Sequence, residues 1–426
     1  MFIKDNGQIY LEGVSLVEIA EKYGTPVYVY EENKIRENFR KASEAFKKYY
    51  NNFRFYYAVK GCSNLAIMQI LKQEGAGMDA ASVNEILLAN KIGMSGEDII
   101  FSGNFLSDED LIKGLESKVI FNLDDISLLP RLLKFGKPEV LSFRINPGYG
   151  YSDLGMFVTL GGEGAKFGIH PDQVMEAYRM AKEAGIKRFG AHMMPGSCVR
   201  NPKYFEYVTG LLMDLIGNVG QELGINFEFV DLGGGLGIPY TEEEHELDID
   251  ETARLVADMF NSKLEKYKLQ APKLLMEPAR YFVGNAGYIV GKVHSIKKTY
   301  SNIVGTDIGM NILARPALYD SYHHIYVNGK EKEERSKMNL CGQICENTDL
   351  WVKDRMLPAN ITEGDIVLVE NTGAYGHCMS YPYNGRLRPA EVLINGDKHY
   401  LIRERESFES TVRDMSVPEH LKKSKL

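Results

Sequence analysis

Residues 53–60 read FRFYYAVK, a short run of aromatic and aliphatic side chains that ends on a lysine. Such a run predicts a buried strand whose last residue emerges at its C-terminal rim. Seven further runs of the same kind follow, separated by amphipathic sequence. They are GMDA with Asp79, DIIFSG with Ser102, VIFNL with Asn122, VLSFRI with Arg144, RFGAHMM with His192, FEFVDL before Gly233, and KLLME with Glu277. The intervals have helical periodicity. In the clearest, Phe205, Val208, Leu212, Leu215, Val219 and Leu223 share one face. Eight strands alternating with helices over roughly 250 residues predict an α/β fold, a (β/α)8 TIM-type barrel. A doubly wound open sheet is the structural rival, but it seldom needs eight such units.

Outward from this block the pattern changes. Upstream, Phe2 to Leu11 alternates around Asn6-Gly7, a hairpin pair, and Ser15 to Lys22 reads as a helix with Ser15 and Glu18 in capping-box spacing and Gly24 closing it. Downstream of residue 285, YIVGKV, HHIYV, DIVLVE and AEVLI are strand-like, and Asn328-Gly329 and Asn395-Gly396 are hairpin signals. The expected division is a barrel over 31–282 and an all-β domain from 283–426 joined by residues 1–30. The last two dozen residues are charged and read as a solvated helix or tail.

A chain of 426 residues exceeds one ordinary core, which agrees with two domains. A net charge of −8 gives no electrostatic reason to bind nucleic acid or anionic membrane. No apolar run is long enough to span a bilayer, and MFIKDNGQIY lacks the layout of a secretory signal. Five scattered cysteines form no CxxC pair, so neither a zinc site nor a disulfide framework is expected. A cytoplasmic protein without a metal fits these features.

Barrels carry their chemistry at the C-terminal ends of their strands. Here those ends hold Lys60, Asp79, Ser102, Arg144, His192, a glycine triplet and Glu277. A lysine at the edge of a low-dielectric core can have its amine pKa lowered and act as a nucleophile. The alternative is a stem that leaves the core and a head that reaches water. Gly233, Gly234 and Gly235 follow the seventh strand, where barrels often hold a phosphate on backbone N–H groups. Glu277 and Arg280, in MEPAR, offer a carboxylate for a ring nitrogen and a two-pronged donor for an anion, or simply a salt bridge at a strand end. The β region adds Arg315 and Tyr319 in RPALYDSYH, Cys345 and Glu346 in CGQICENTD, and Tyr375 with glycines on both sides. Any one of these could be packing.

The ordered set YAVK, INPG, KFGI, DLGGGLGIPY, EP-R-YFVG, RPALYD-YH, CE--D, GAYG--M and YN-R-RPAEVL resembles the fold type III (alanine racemase-like) pyridoxal 5′-phosphate decarboxylases along nearly the whole chain. RPALYD-YH with YN-R-RPAEVL points to the branch acting on diaminopimelate rather than the ornithine branch. The resemblance implies that Lys60 carries the cofactor, with Asp79, Arg144, His192 and Ser197 also around it. It implies a phosphate cradle from Gly233 to Gly235 and the backbone from Glu277 through Ala279 to Arg280. Glu277 then faces the pyridine nitrogen, and Tyr375 touches the cofactor. Arg280, Arg315, Tyr319, Glu346 and Tyr375 fall where the family binds its amino-acid substrate, and Cys345 is similar to the residue proposed to return a proton. The cysteine loop enters the neighbouring subunit's site in that family, so a homodimer with shared active sites is implied.

Four departures stand out. HMMPGS replaces H-x-H-x-G-S, so Met194 stands where a histidine would stack on the cofactor. Ala279 replaces a usual glycine, Asn347-Thr348 replaces Ser-Gly, and YAVKGCSN replaces YAVKANPN. Decarboxylases for D-lysine, D-ornithine or a carboxylated polyamine share the machinery, but a simple diamine tail gives Arg315 nothing to meet. A racemase benefits from an arginine at the ring nitrogen, and Glu277 argues the other way. A dead homologue would not need Lys60, Glu277 and Cys345 together.

Overall fold

A computed structural model describes residues 1–4, 6–155 and 159–422. Its centre is a closed, all-parallel barrel of eight strands in chain order: β1 (Phe53–Ala58), β2 (Gly77–Ala80), β3 (Ile99–Phe101), β4 (Ile120–Leu123), β5 (Val140–Ile145), β6 (Arg188–Met193), β7 (Phe227–Asp231) and β8 (Lys273–Met276). All eight runs read from the sequence are barrel strands. Their outer faces pack on helices such as Pro202–Leu223, which buries Phe205, Val208, Leu212 and Val219 as its periodicity requires.

The pleat explains where the chemistry sits. Tyr56, Ile100, Ile120, Val140, Phe229 and Leu275 form a separate apolar cluster, one side chain from each of six strands. The remaining two strands contribute glycine at that level. A Cβ on Gly77 would meet the Tyr56 ring at 2.4 Å, and one on Gly190 would meet Phe229 at 2.0 Å, so the aromatic rings fill the space. Two residues further along each strand the same face points inward again. That second layer is Ala58, Asp79, Ser102, Asn122, Ser142, His192, Asp231 and Glu277. Asn122 donates to Ser102 Oγ at 2.9 Å and accepts from Ser142 at 3.1 Å, so even its neutral members are paired. An apolar plug thus supports a polar floor.

The second unit is β-rich. Its sheet runs through β9 (Gly287–Lys298), β10 (Asn302–Thr306), β11 (Ile325–Val327), β12 (Arg335–Cys341), β13 (Val352–Pro358), β14 (Ile366–Val369), β15 (Ala390–Asn395) and β16 (Lys398–Arg403). The strand Val27–Glu31 lies between β9 and β15, so the N-terminal segment does enter this sheet. Asn395-Gly396 turns the β15–β16 hairpin. Asn328-Gly329 does not make one, because β11 pairs with β14 instead. Asn328 Oδ1 accepts from Ile9 N, and Gly329 N donates to Gly7 O, so this turn ties down the N-terminal hairpin. Ser15 caps Leu16–Tyr23 from one side only, for Glu18 meets His399 at 3.0 Å rather than closing a box. The tail forms short exposed helices at Phe408–Val412 and Glu419–Lys422, and residues 423–426 lie outside the described set. No helix among the described residues is long and apolar enough to cross a membrane.

Buried Glu391 joins the two units. Its carboxylate accepts from Tyr30 at 2.7 Å, from Asn64 at 2.9 Å and from Arg403, with His377 at 3.8 Å. Burial works against this charge, but His377 and Arg403 outweigh it and hold the carboxyl below its usual pKa. Removing one member of a buried, multiply bonded ion pair costs roughly 3–5 kcal/mol. Glu391→Leu should therefore lower unfolding stability by about 3 kcal/mol in a denaturant titration, and a loss under about 1 kcal/mol would contradict this anchoring role.

A candidate cofactor and substrate cavity at the barrel mouth

Above the polar floor lies a cavity of about 370 Å3, within the range of small-ligand sites. Lys60, Asp79, Ser102, Arg144, His192, Ser197 and Glu277 reach it from the barrel, and Arg315, Tyr319 and Tyr375 reach it from the β unit. Arg280 lies between the two groups. The residues singled out by strand-end position therefore converge on one space, and Lys60 and Glu277 share it. Cys345 and Glu346 do not line it. Both are exposed, Cys345 held by Asn384 and Glu346 by the Tyr383 hydroxyl at 3.0 Å.

Lys60 sits in a single tight turn after β1, and its Nζ lies 2.7 Å from Asp79 Oδ2. Burial alone would lower its pKa, as the sequence reading expected. The Asp79 carboxylate, with Tyr375 and Glu277, reverses the sign and raises it. Asp79 is buried and carries a raised pKa from desolvation and from Glu277, partly offset by Lys60.

Glu277 is held by His192, Nε2 to Oε2 at 3.0 Å, at the C-terminal end of β8. Behind them is Asp231, wholly buried, whose Oδ1 accepts from Gly233 N at 2.8 Å. Donor atoms of Asp231, His192 and Glu277 lie within 4.8 Å of one another. Two carboxylates so close in a dry site do not both ionise. Desolvation and the Glu277 charge push Asp231 well above the usual carboxyl range. Burial also opposes ionisation of Glu277, but His192, Lys60 and Asp231 hold its pKa low. Asp231 keeps the proton and Glu277 keeps the charge. Sequence inspection passed over Asp231, although it lies two residues after Phe229 and so on the same inward face.

The glycine triplet is required by close approach. Gly233 and Gly235 have φ of +67° and +93°, and a Cβ on Gly234 would lie 2.7 Å from the Glu277 carbonyl. With Ser197, Ala279, Arg280 and Tyr375, Gly234 and Gly235 line a recess beside the main cavity. Tyr375 itself adopts φ of +58°, and the Arg280 guanidinium stacks 4.8 Å from its ring centroid.

These features fit pyridoxal phosphate. The Glu277 carboxylate lines the cavity and is held anionic, which suits a protonated ring nitrogen presented from that space. The glycine recess suits a phosphate, and the lysine amine faces the same space. Met194 lines both the cavity and the recess, and its Sδ accepts from Gly234 N at 2.9 Å. Asn104, Lys166 and Phe167 also line the cavity without having been singled out. They lie on loops after β3 and β5, where no periodicity marks an inward face.

Comparison with known proteins agrees with this geometry. Residues 32–284 match the family described as pyridoxal-dependent decarboxylase, pyridoxal binding domain. A diaminopimelate decarboxylase of Methanothermobacter thermautotrophicus is 44% identical, covering 99% of this chain and 98% of its own. One from Thermoplasma acidophilum is 41% identical over 93% and 94%. The crystal structure of diaminopimelate decarboxylase from M. jannaschii in complex with L-lysine superposes with a TM-score of 0.89 at 36% identity, covering 99% of this chain and 98% of that one.

Two of the departures noted in the sequence prove to be one. A Cβ on Gly61 would lie 2.4 Å from the Ala279 methyl, closer than two carbons can come. The methyl group that the usual sequence carries after the lysine is supplied here from the opposite wall. Gly61→Ala alone should overpack this contact at a cost of about 1–3 kcal/mol and weaken cofactor retention. The double variant Gly61→Ala/Ala279→Gly should recover both. Melting temperature and near-visible absorbance check this, and a double variant no better than the single would contradict it.

Proposed function

The chain belongs to the pyridoxal-dependent decarboxylase family, and from that premise we propose that it removes carbon dioxide from meso-diaminopimelate to give L-lysine. The observation that carries the substrate assignment is a pair of buried guanidiniums. Arg280 and Arg315 reach the cavity that holds Lys60 and Glu277, and neither pairs with a carboxylate among the described residues. Buried charges left unpaired cost roughly 2–5 kcal/mol, so the site favours a ligand that brings a second carboxylate. Diaminopimelate has one; lysine, ornithine and arginine do not. The L-lysine bound in the M. jannaschii relative supports the same reading.

Pyridoxal phosphate, when bound, supplies an electron-accepting ring that stabilises the negative charge left at the α-carbon. The protein's own groups do the rest. Lys60 holds the cofactor through its amine, and Asp79 steadies that amine in its absence. Glu277 keeps a proton at the ring nitrogen, and His192 and protonated Asp231 keep Glu277 anionic. Gly233 to Gly235, Ser197 and Tyr375 hold the phosphate. Arg280, Arg315 and Tyr319 grip the far end of the substrate.

Cys345 and Glu346 belong to the chemistry only if a second copy of the chain supplies them. Their exposure on the Gly342–Leu350 loop, away from their own chain's cavity, supports a homodimer with shared sites. Cys345 would return the proton to the α-carbon, and Glu346 would meet the distal ammonium. All five cysteines are free, which suits a reducing cytoplasm.

Carbon dioxide release measured with diaminopimelate, lysine, ornithine and arginine should favour the first by at least about 100-fold in kcat/KM. Faster turnover of any of the others overturns the substrate assignment. Mixing Lys60→Ala with Cys345→Ala chains should restore up to about a quarter of wild-type activity, since random pairing of complementary sites allows one intact site in half of the dimers. No recovery after demonstrated subunit exchange would refute the shared site.

A further inference from the structure

Behind the two arginines lies a buried group that the reaction above does not use. Arg315 Nη1 lies 3.1 Å from His323 Nε2, and His323 Nδ1 lies 2.8 Å from the Glu370 carbonyl oxygen. Both side chains are 1% exposed. The two contacts fix the state of the ring. A carbonyl only accepts, so Nδ1 carries hydrogen; a guanidinium only donates, so Nε2 presents its lone pair. The imidazole is neutral, and protonating it would set an N–H against the N–H of Arg315.

The surroundings enforce this state. Burial above all, and then the charges of Arg315, Arg280 and Arg355, keep a proton off His323. Arg355 also donates to the His323 carbonyl at 3.0 Å, and among the described residues the ring's hydrogen-bond partners are Arg315 and the Glu370 carbonyl, with no carboxylate. Burial shifts the Glu370 carboxyl up to about 7, and it is the Glu370 backbone carbonyl that meets the His323 ring. On the other side stands Tyr240. Its ring meets His323 edge-on at 5.5 Å, lies 4.9 Å from the Arg315 guanidinium and 5.8 Å from that of Arg280, and its hydroxyl accepts from Arg280 Nη1. Two cations are thus held beside one electron-rich face, and one of them is steered by a neutral acceptor. Arg315 Nη2 remains buried and within hydrogen-bond geometry of no acceptor among the described residues, although the Tyr240 hydroxyl attracts the guanidinium.

We infer that His323 is a positioning residue for substrate selection: as a neutral acceptor it fixes Arg315 so that Nη2 is free for a carboxylate in the cavity. This rests on the reading of Arg315 given above. His323 does not line the cavity and acts through the guanidinium.

The holoenzyme tests it in three ways. His323→Phe keeps a ring against Tyr240 but offers no acceptor, and should raise KM for diaminopimelate about 10-fold or more while kcat stays within about threefold. His323→Gln retains an acceptor and should hold KM within about threefold of wild type. In an Arg315→Leu background, His323→Phe should add nothing. Pimelate, a dicarboxylate without amines, should lose affinity in parallel by calorimetry. Equal defects in Phe and Gln variants, additive losses, or unchanged pimelate binding would each overturn the inference. In wild-type enzyme, which no folding defect can compromise, 15N NMR should show His323 as the neutral Nδ1–H tautomer between about pH 6 and 9; a cationic ring or the other tautomer refutes it. Should wild type fail to decarboxylate diaminopimelate, the substrate assignment falls, while pimelate binding and the tautomer still decide the role of His323.

Discussion

The residue after the lysine is where three segments of the chain meet. The Gly61 carbonyl accepts from Tyr375 N at 2.8 Å and from Cys378 Sγ at 3.3 Å, and the space its missing side chain leaves is taken by the Ala279 methyl. The first barrel loop, the last barrel loop and the tyrosine loop of the β unit are thereby locked to one another within one residue of Lys60. If that junction moved, the amine, the glycine recess and Tyr375 would lose their common frame. A functional group works only when its supporting contacts hold it to within a fraction of an ångström. Glu391 secures the same loop from behind, through Asn64.

Charge around the cavity is grouped, with Lys60, Arg144 and Lys166 as the cations on the barrel side. The barrel floor supplies acids, with Glu277 ionised, Asp231 protonated and Asp79 on the lysine. The side toward the β unit supplies Arg280 and Arg315, spaced by Tyr240. Each half alone is costly to bury, and each presents charge to the cavity: the Glu277 carboxylate on one side, the Arg315 guanidinium on the other. A ligand with a cationic ring nitrogen at one end and a carboxylate at the other satisfies both. On the function proposed above, the cofactor and its substrate together would have that polarity.

Much of this arrangement is legible in the sequence. Strand-end residues of a barrel share a rim, so Lys60, Asp79, Arg144, His192 and Glu277 were brought together by period and position alone. The misreadings share one cause. Asn328-Gly329 has hairpin chemistry, yet β11 pairs not with the next strand but with β14, Val327 opposite Val367. Glu18 has capping-box spacing, yet His399 competes for it from the far end of the chain. Local signals name what a segment can do, and distant partners choose.

The sequence by itself determined the eight-strand barrel, the β unit and the polar rim, since side-chain alternation along a strand is a local property that forces every second residue inward. Tertiary structure alone decided protonation and orientation. Asp231 holds a proton because it is buried and because Glu277, 46 positions later, is ionised beside it, and Arg315 points as it does because His323 is pinned to the Glu370 carbonyl. These depend on distances between groups far apart in the chain and on the low dielectric around them, and neither is a property of any one stretch of residues.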